Sequence, residues 1–126
     1  MFAAARVRSF GHAFRGCWYV LRTQRNSWLH VGIAAAVFAL GFWVGLDGMR
    51  WAIVVLATAL VFTAEFFNTA LEVVVDLVSP KPHPLAKIAK DVAAAAVLGS
   101  AASAVIVGLL LLGPPLLQRL EAALGR

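Results

Sequence analysis

The chain has 126 residues, of which 62% are hydrophobic and only 13% charged. Soluble domains carry roughly 45–50% apolar and about 25% charged residues, so a water-soluble core is excluded and a single compact membrane bundle is expected. The net charge of +5 does not indicate a nucleic-acid binder, because the basic residues flank apolar runs and form no patch with interleaved aromatics, and the one cysteine, Cys17, excludes both an intrachain disulfide and a cysteine metal motif.

Residues 2–25 read as an amphipathic helix. Val7, Phe10, Phe14, Cys17, Trp18 and Leu21 recur at helical spacing, while Arg8, Arg15 and Arg22 fall on a different face. This division suits a helix lying in the membrane interface, rings in the acyl boundary and arginines among phosphates. The segment is not a cleavable signal peptide, since the first long apolar run begins only near Trp28, after five arginines.

Residues 28–46 form the first expected span, with His30 as its only ionisable group and Trp28 and Trp43 near its ends. Gly41 and Gly45 make a small-xxx-small pair that would admit a neighbouring helix. A turn at Asp47-Gly48-Met49-Arg50 leads into a second helix over 51–78, long enough for its end to project into the headgroups. Three prolines within Ser79-Pro80-Lys81-Pro82-His83-Pro84 stop it. A third helix is expected over 85–112, its span uncharged and rich in Ala, Gly and Ser. Gly113-Pro114-Pro115 is expected to end it, leaving 113–126 as a weakly amphipathic tail without evident function.

Lysine and arginine counts orient the chain. Residues 1–27 hold five and the loop 79–91 holds three, against one in 47–50 and two in the tail. The richer segments belong on the cytoplasmic side, which puts the N-terminus inside and the C-terminus outside.

The second helix carries the chemistry. Asn68, Thr69, Glu72 and Asp76 lie 3, 4, 7 and 11 residues beyond Glu65, so all five share one face. Three carboxylates stacked along a membrane helix repel one another and are costly near hydrocarbon, so cations, a metal ion or protonation must compensate them. Counted from Trp51, Glu65 lies about 21 Å into the bilayer and Glu72 about 32 Å. With a core of ~30 Å, Glu65 sits inside the cytoplasmic leaflet, Glu72 at its edge and Asp76 among headgroups. Lys81, Lys87 and Lys90 supply facing cations.

The wetter Glu72 and Asp76 suit a hard divalent cation such as Mg²⁺. The drier Glu65 suits a general base acting on a hydroxyl at the lipid boundary. A structural polar seam or a proton path is an alternative reading of the same spacing, and a small proton-coupled transporter subunit is the rival function. Transport sites tend to lie near the bilayer midplane, whereas this ladder climbs to the cytoplasmic edge. No nucleotide motif intervenes: Gly11 and Gly16 have the spacing of a phosphate-binding loop, but Cys17-Trp18 follows where Lys and Ser/Thr are needed.

The run from Ala64 through Glu65, Asn68 and Glu72 to Asp76 resembles the signature helix of the prokaryotic diacylglycerol kinase family, which includes undecaprenol kinases. His83-Pro84-Leu85-Ala86-Lys87-Ile88-Ala89-Lys90-Asp91 resembles the family's second signature, and Gly11 to His30 matches its surface-helix region more loosely. The resemblance covers residues 6–112. It implies an all-α lipid kinase of the bacterial inner membrane, multi-pass, with a surface helix and three transmembrane helices in one domain over 1–126. It further implies a homotrimer with composite active sites between subunits, and transfer of the ATP γ-phosphate to undecaprenol or diacylglycerol. By the same resemblance Glu65 is the general base and Glu72 a ligand of metal and nucleotide. Asn68, Asp76, Lys81, His83, Lys90 and Asp91 fall around the nucleotide, and Asp91 can also favour the third helix's N-terminus through its dipole. The chain departs from the pattern at Gln24, where the family usually has a second metal-binding glutamate; Gln24 is expected to bind Mg²⁺ and nucleotide through its amide oxygen. His12 stands where some relatives have a tyrosine near the nucleotide. The loop's Ser-Pro-x-x-His-Pro-Leu-Ala-Lys form is closer to the undecaprenol branch.

Overall fold

The computed structural model describes the backbone of residues 2–125 and the side chains of residues 8–125. Among the described residues the chain is all helix: α1 (Phe2–Thr23), α2 (Arg25–Val44), α3 (Gly48–Val78) and α4 (Pro84–Ala123). The last three are each long and apolar enough to cross a membrane.

The α1 helix breaks at Gln24, whose extended backbone (φ −100°, ψ 110°) caps the start of α2. Buried Val20 and partly buried Cys17, Leu21 and Gln24 make the seam of α1 toward the bundle. Phe10, Phe14 and Trp18 stay exposed on the adjoining stripe, and Arg8, Arg15 and Arg22 are exposed as well. The side chain of Val7, placed on the apolar stripe from sequence, lies outside the described residues. The first span starts at Arg25 rather than Trp28, because the chain turns once, at Gln24, and needs no further linker.

The α2 helix closes on Gly45, which adopts the left-handed conformation at φ 75°. Leu46 N–H donates to Gly41 O (3.1 Å) and Gly45 N–H to Phe42 O (3.3 Å), the paired bonds that end a helix on glycine. The expected Gly41/Gly45 pair therefore divides. Gly45 is a cap, with no Cβ to oppose its positive φ. Gly41 does admit close approach: a Cβ there would lie 2.9 Å from the Trp51 ring and 3.1 Å from Leu46.

Asp47 starts α3 by accepting from Arg50 N–H (2.9 Å), three residues earlier than Trp51. At 31 residues α3 is about 46 Å long, beyond the hydrocarbon core. It ends at Val78, before the prolines. His83 then caps α4, its Nδ1 accepting from Leu85 N–H (3.2 Å), with Pro84 in the first turn, where no N–H is missed.

One expectation is overturned. The α4 helix does not end at Gly113-Pro114-Pro115 but continues to Ala123. Two prolines remove two N–H donors and crowd the preceding carbonyls. Packing on both sides of the interruption holds the helix: Leu112 is buried with Val44, Leu46 and Val54, and Leu111 and Leu116 pack against the same cluster. The tail is thus helical to Ala123. Asp91, eight residues into α4, also lies too far from the helix start for the dipole role.

The apolar core sits at the α2–α3 turn, where Trp51 packs on Phe38 and Phe42 with ring centroids 5.4 and 4.6 Å apart. The polar ladder occupies the opposite end, and α3 and α4 make the most extensive helix pair. Thermal unfolding in detergent micelles checks the close approach at Gly41. Gly41→Ala is expected to cost about 1–3 kcal/mol through overpacking, whereas Gly32→Ala, with open space around it, should be neutral or slightly stabilising. Equal behaviour of the two variants would contradict the packing described.

Candidate active site

Two polar stripes meet at the α2–α3 interface. On α2 and its cap, Gln24, Ser27 and His30 recur every third residue and so share a face. On α3, Glu65, Asn68, Thr69 and Glu72 do the same. Because the helices run antiparallel, Gln24 meets Glu72 while Ser27 and His30 meet Glu65.

Burial falls along α3 from Glu65 outward. Glu65 is 2% exposed, Thr69 2% and Asn68 8%, Glu72 is half-buried and Asp76 exposed. The Ser27 hydroxyl, fully buried, donates to Glu65 Oε1 at 3.5 Å. His30 Nε2 lies 4.0 Å from Glu65 Oε2. The Thr69 hydroxyl donates back to the Glu65 carbonyl (2.9 Å), which satisfies it within the helix.

One turn further out, Glu72 accepts from Asn68 Nδ2 (3.1 Å) on one oxygen and from Gln24 Nε2 (3.2 Å) on the other. Asn68 Oδ1 is buried without a hydrogen-bond partner. Beyond them the Lys90 ammonium donates to Asp76, tying α4 to α3, and Lys87 pairs with Asp91 along α4.

The structure thus joins Glu65, Asn68, Glu72 and Gln24 in one cluster and puts Asp76 with Lys90 outside it. The remaining expected residues stand apart. His12 is exposed on α1, hydrogen-bonded to Arg15 (2.8 Å). Lys81 is exposed in the α3–α4 loop, where its carbonyl accepts from the Ser79 hydroxyl (3.0 Å). His83 serves as a helix cap and Asp91 is held by Lys87. Sequence reasoning did not mark Ser27 or His30 as site residues. The available signal was the three-residue spacing of Gln24, Ser27 and His30 at the start of an apolar span.

An elongated cavity of about 720 Å³ runs along the bundle from Gln24 and Glu72 to Leu112 and Leu116. Its walls are apolar except near the carboxylates, where Glu65 and His30 open onto it. An alkyl or prenyl chain fits such walls, and a head group would then lie beside Glu65.

No trio of His, Cys, Asp or Glu suited to a metal occurs among the described residues. The amides of Gln24 and Asn68 converge on Glu72, and each would offer an oxygen if turned over. Such a set fits Mg²⁺, which takes oxygen ligands, uses one or two carboxylates and keeps waters or substrate phosphates for the rest.

The sequence model of the family described as prokaryotic diacylglycerol kinase matches residues 11–112. The chain is 47% identical over 109 residues to undecaprenol kinase from Bacillus subtilis, covering 86% of this chain and 89% of that one. It is 48% identical over 111 residues to a diacylglycerol kinase from Synechocystis, covering 87% of this chain and 63% of the relative. The diacylglycerol kinase of Escherichia coli K12 is 28% identical over 86% of this chain and 95% of its own length.

The Lys90–Asp76 pair is largely solvent-exposed, with side chains 37% and 65% accessible. Lys90→Met or Asp76→Asn is therefore expected to change thermal stability by less than about 1 kcal/mol. A larger loss in a micelle unfolding assay would mean that the pair holds α3 and α4 together.

Proposed function

This chain belongs to the prokaryotic diacylglycerol kinase family and is a multi-pass membrane lipid kinase with ATP as phosphate donor, and from that premise we propose that Glu65 is its general base and that undecaprenol is its acceptor. The observation that carries the reading is the gradient along α3: a buried carboxylate opening onto an apolar cavity, followed outward by a half-buried and then an exposed one.

The lipid tail occupies the cavity and presents its hydroxyl to Glu65. As the hydroxyl oxygen attacks the γ-phosphorus, Glu65 takes its proton, and ADP leaves with the electrons of the broken P–O bond. General bases of this kind contribute about 10²–10⁴-fold to rate. The rest of the site positions the reactants and offsets negative charge on the moving phosphoryl. Lys90 is suited to that task because its ammonium stands at the wet end of the ladder on an exposed partner. Asn68, Asp76, Lys81, His83 and Asp91 line the nucleotide side, with His12 on α1. Gln24 and Glu72 would hold Mg²⁺, which would supply positive charge to offset that of the phosphates.

The whole chain is read as one domain in the bacterial inner membrane, with the N-terminus and the 79–91 loop cytoplasmic, following the lysine and arginine asymmetry. It assembles as a homotrimer whose subunits complete one another's sites. The preference for undecaprenol rests on the Ser79-Pro80-Lys81-Pro82-His83-Pro84-Leu85-Ala86-Lys87 loop and on the Bacillus relative's name. The transporter reading receives no support, since the relatives named above are lipid kinases.

ADP release by the purified protein in mixed micelles, with Mg²⁺-ATP and either undecaprenol or diacylglycerol, tests the assignment. Lipid-dependent turnover is expected, faster with undecaprenol, and reduced about 10²–10⁴-fold in Glu65→Gln. Full activity in that variant would remove Glu65 from the chemistry. A Gln24→Glu variant is expected to reach half-maximal rate at lower Mg²⁺ than the native chain, because a carboxylate is the stronger ligand. An unchanged Mg²⁺ dependence would exclude Gln24 from the metal.

A further inference from the structure

Glu65 is nearly sealed from solvent, yet a base must be able to shed the proton it has taken. Among the described residues, two groups reach its carboxylate: the Ser27 hydroxyl at 3.5 Å from Oε1 and the His30 imidazole at 4.0 Å from Oε2. Serine can donate to the carboxylate but cannot hold an additional proton at ordinary pH. Histidine can. Of the lysines on α4, Lys90 is engaged with Asp76 and Lys87 with Asp91.

The place of His30 is built rather than incidental. It lies one turn beyond Ser27 on the stripe that starts at Gln24, so the cap that fixes Gln24 also fixes the rotation of His30. Its ring meets Phe62 edge-on at 6.4 Å between centroids, on the same helix as Glu65. Its side chain is 13% exposed against 3% for Glu65, so the imidazole is the wetter member of the pair. From α3 the ionisable groups on this face are Glu65 and, further out, Glu72; α1 offers Val20 at its seam, and α4 presents apolar Ala94, Val97, Leu98 and Ala101 to the shared cavity.

We propose that His30 is a positioning residue for Glu65 that also receives the transferred proton from it. The inference rests on Glu65 being the base. Ser27 donates to one carboxylate oxygen and the His30 ring stands 4.0 Å from the other, both on the α2 side, leaving the cavity side free for the lipid hydroxyl. Once the hydroxyl O–H bond has broken and Glu65 carries the proton, the neutral imidazole, bearing its own proton on Nδ1, accepts this one at Nε2. The carboxylate is restored, and the imidazolium releases the proton to water at the wet end of the site. No proton is lost or gained by the protein over the cycle.

The full-length protein in lipid–detergent micelles with Mg²⁺-ATP and its preferred lipid alcohol provides the test. His30→Gln keeps a polar side chain of similar reach but cannot carry the proton. It is expected to lower kcat about tenfold or more, to leave KM for ATP within about twofold, and to change the shape of the kcat–pH profile. Native kcat with an unchanged profile would overturn the proposal, as would parallel loss of kcat and ATP affinity. A second measurement needs no His30 variant. The imidazole ¹⁵N signals of His30 are expected to differ between the native chain and Glu65→Gln, and identical spectra would also overturn it. Failure of the underlying reading looks different: Glu65→Gln would then retain lipid-dependent turnover, or the native chain would show none.

Discussion

A carboxylate placed among hydrocarbon side chains must either be neutralised or be given partners, and the meeting of α2 and α3 satisfies that demand at Glu65. Ser27, on the facing helix, is fully buried for the sake of one hydrogen bond. Thr69 closes onto the Glu65 carbonyl, so the turn carrying the carboxylate has no unsatisfied hydroxyl beside it. The break at Gln24 follows from the same constraint. Only a helix that starts there, rather than continuing from α1, turns Gln24, Ser27 and His30 together toward α3.

The bundle divides its two tasks between its ends. At the α2–α3 turn the chain packs tightly, with Val44, Leu46, Val54 and Leu112 buried and Trp51 lying over a glycine. Rigidity there holds the relative rotation of α2 and α3, and a small rotation would separate Ser27 from Glu65. At the other end, packing gives way to polar contacts that grow more exposed toward water, from buried Glu65 to the Lys90–Asp76 pair. A phosphoryl-transfer site profits from this arrangement. On the proposed reading, the base needs a dry, fixed setting, whereas groups that meet a nucleotide must be open to water.

The long helices serve the same division. The α3 helix is longer than a hydrocarbon core, and one continuous rod carries Glu65, Glu72 and Asp76 in sequence along its outer half. The proline loop then returns the chain at once, and the His83 cap starts α4 early enough for Lys90 to come level with Asp76.

Much of this was legible in the sequence. Apolar runs determined the three spans, since about 20 such residues have few other soluble or membrane solutions. The spacing of Glu65, Asn68, Glu72 and Asp76 determined a shared face, because the helical repeat is constant. What could not be read was which residues of a different helix would face them. Ser27 and His30 become partners of Glu65 only through the rotation of α2, which the Gln24 cap and the packing around Trp51 set together. The same reason explains the helix that ran through Pro114 and Pro115. Local chemistry argues for a stop there, and only the contacts of Leu112 and Leu116 with the neighbouring helices outweigh it. Periodicity and composition are properties of one segment, so sequence settles them; rotation, pairing and the survival of a strained helix depend on contacts between segments, and tertiary structure alone decided those.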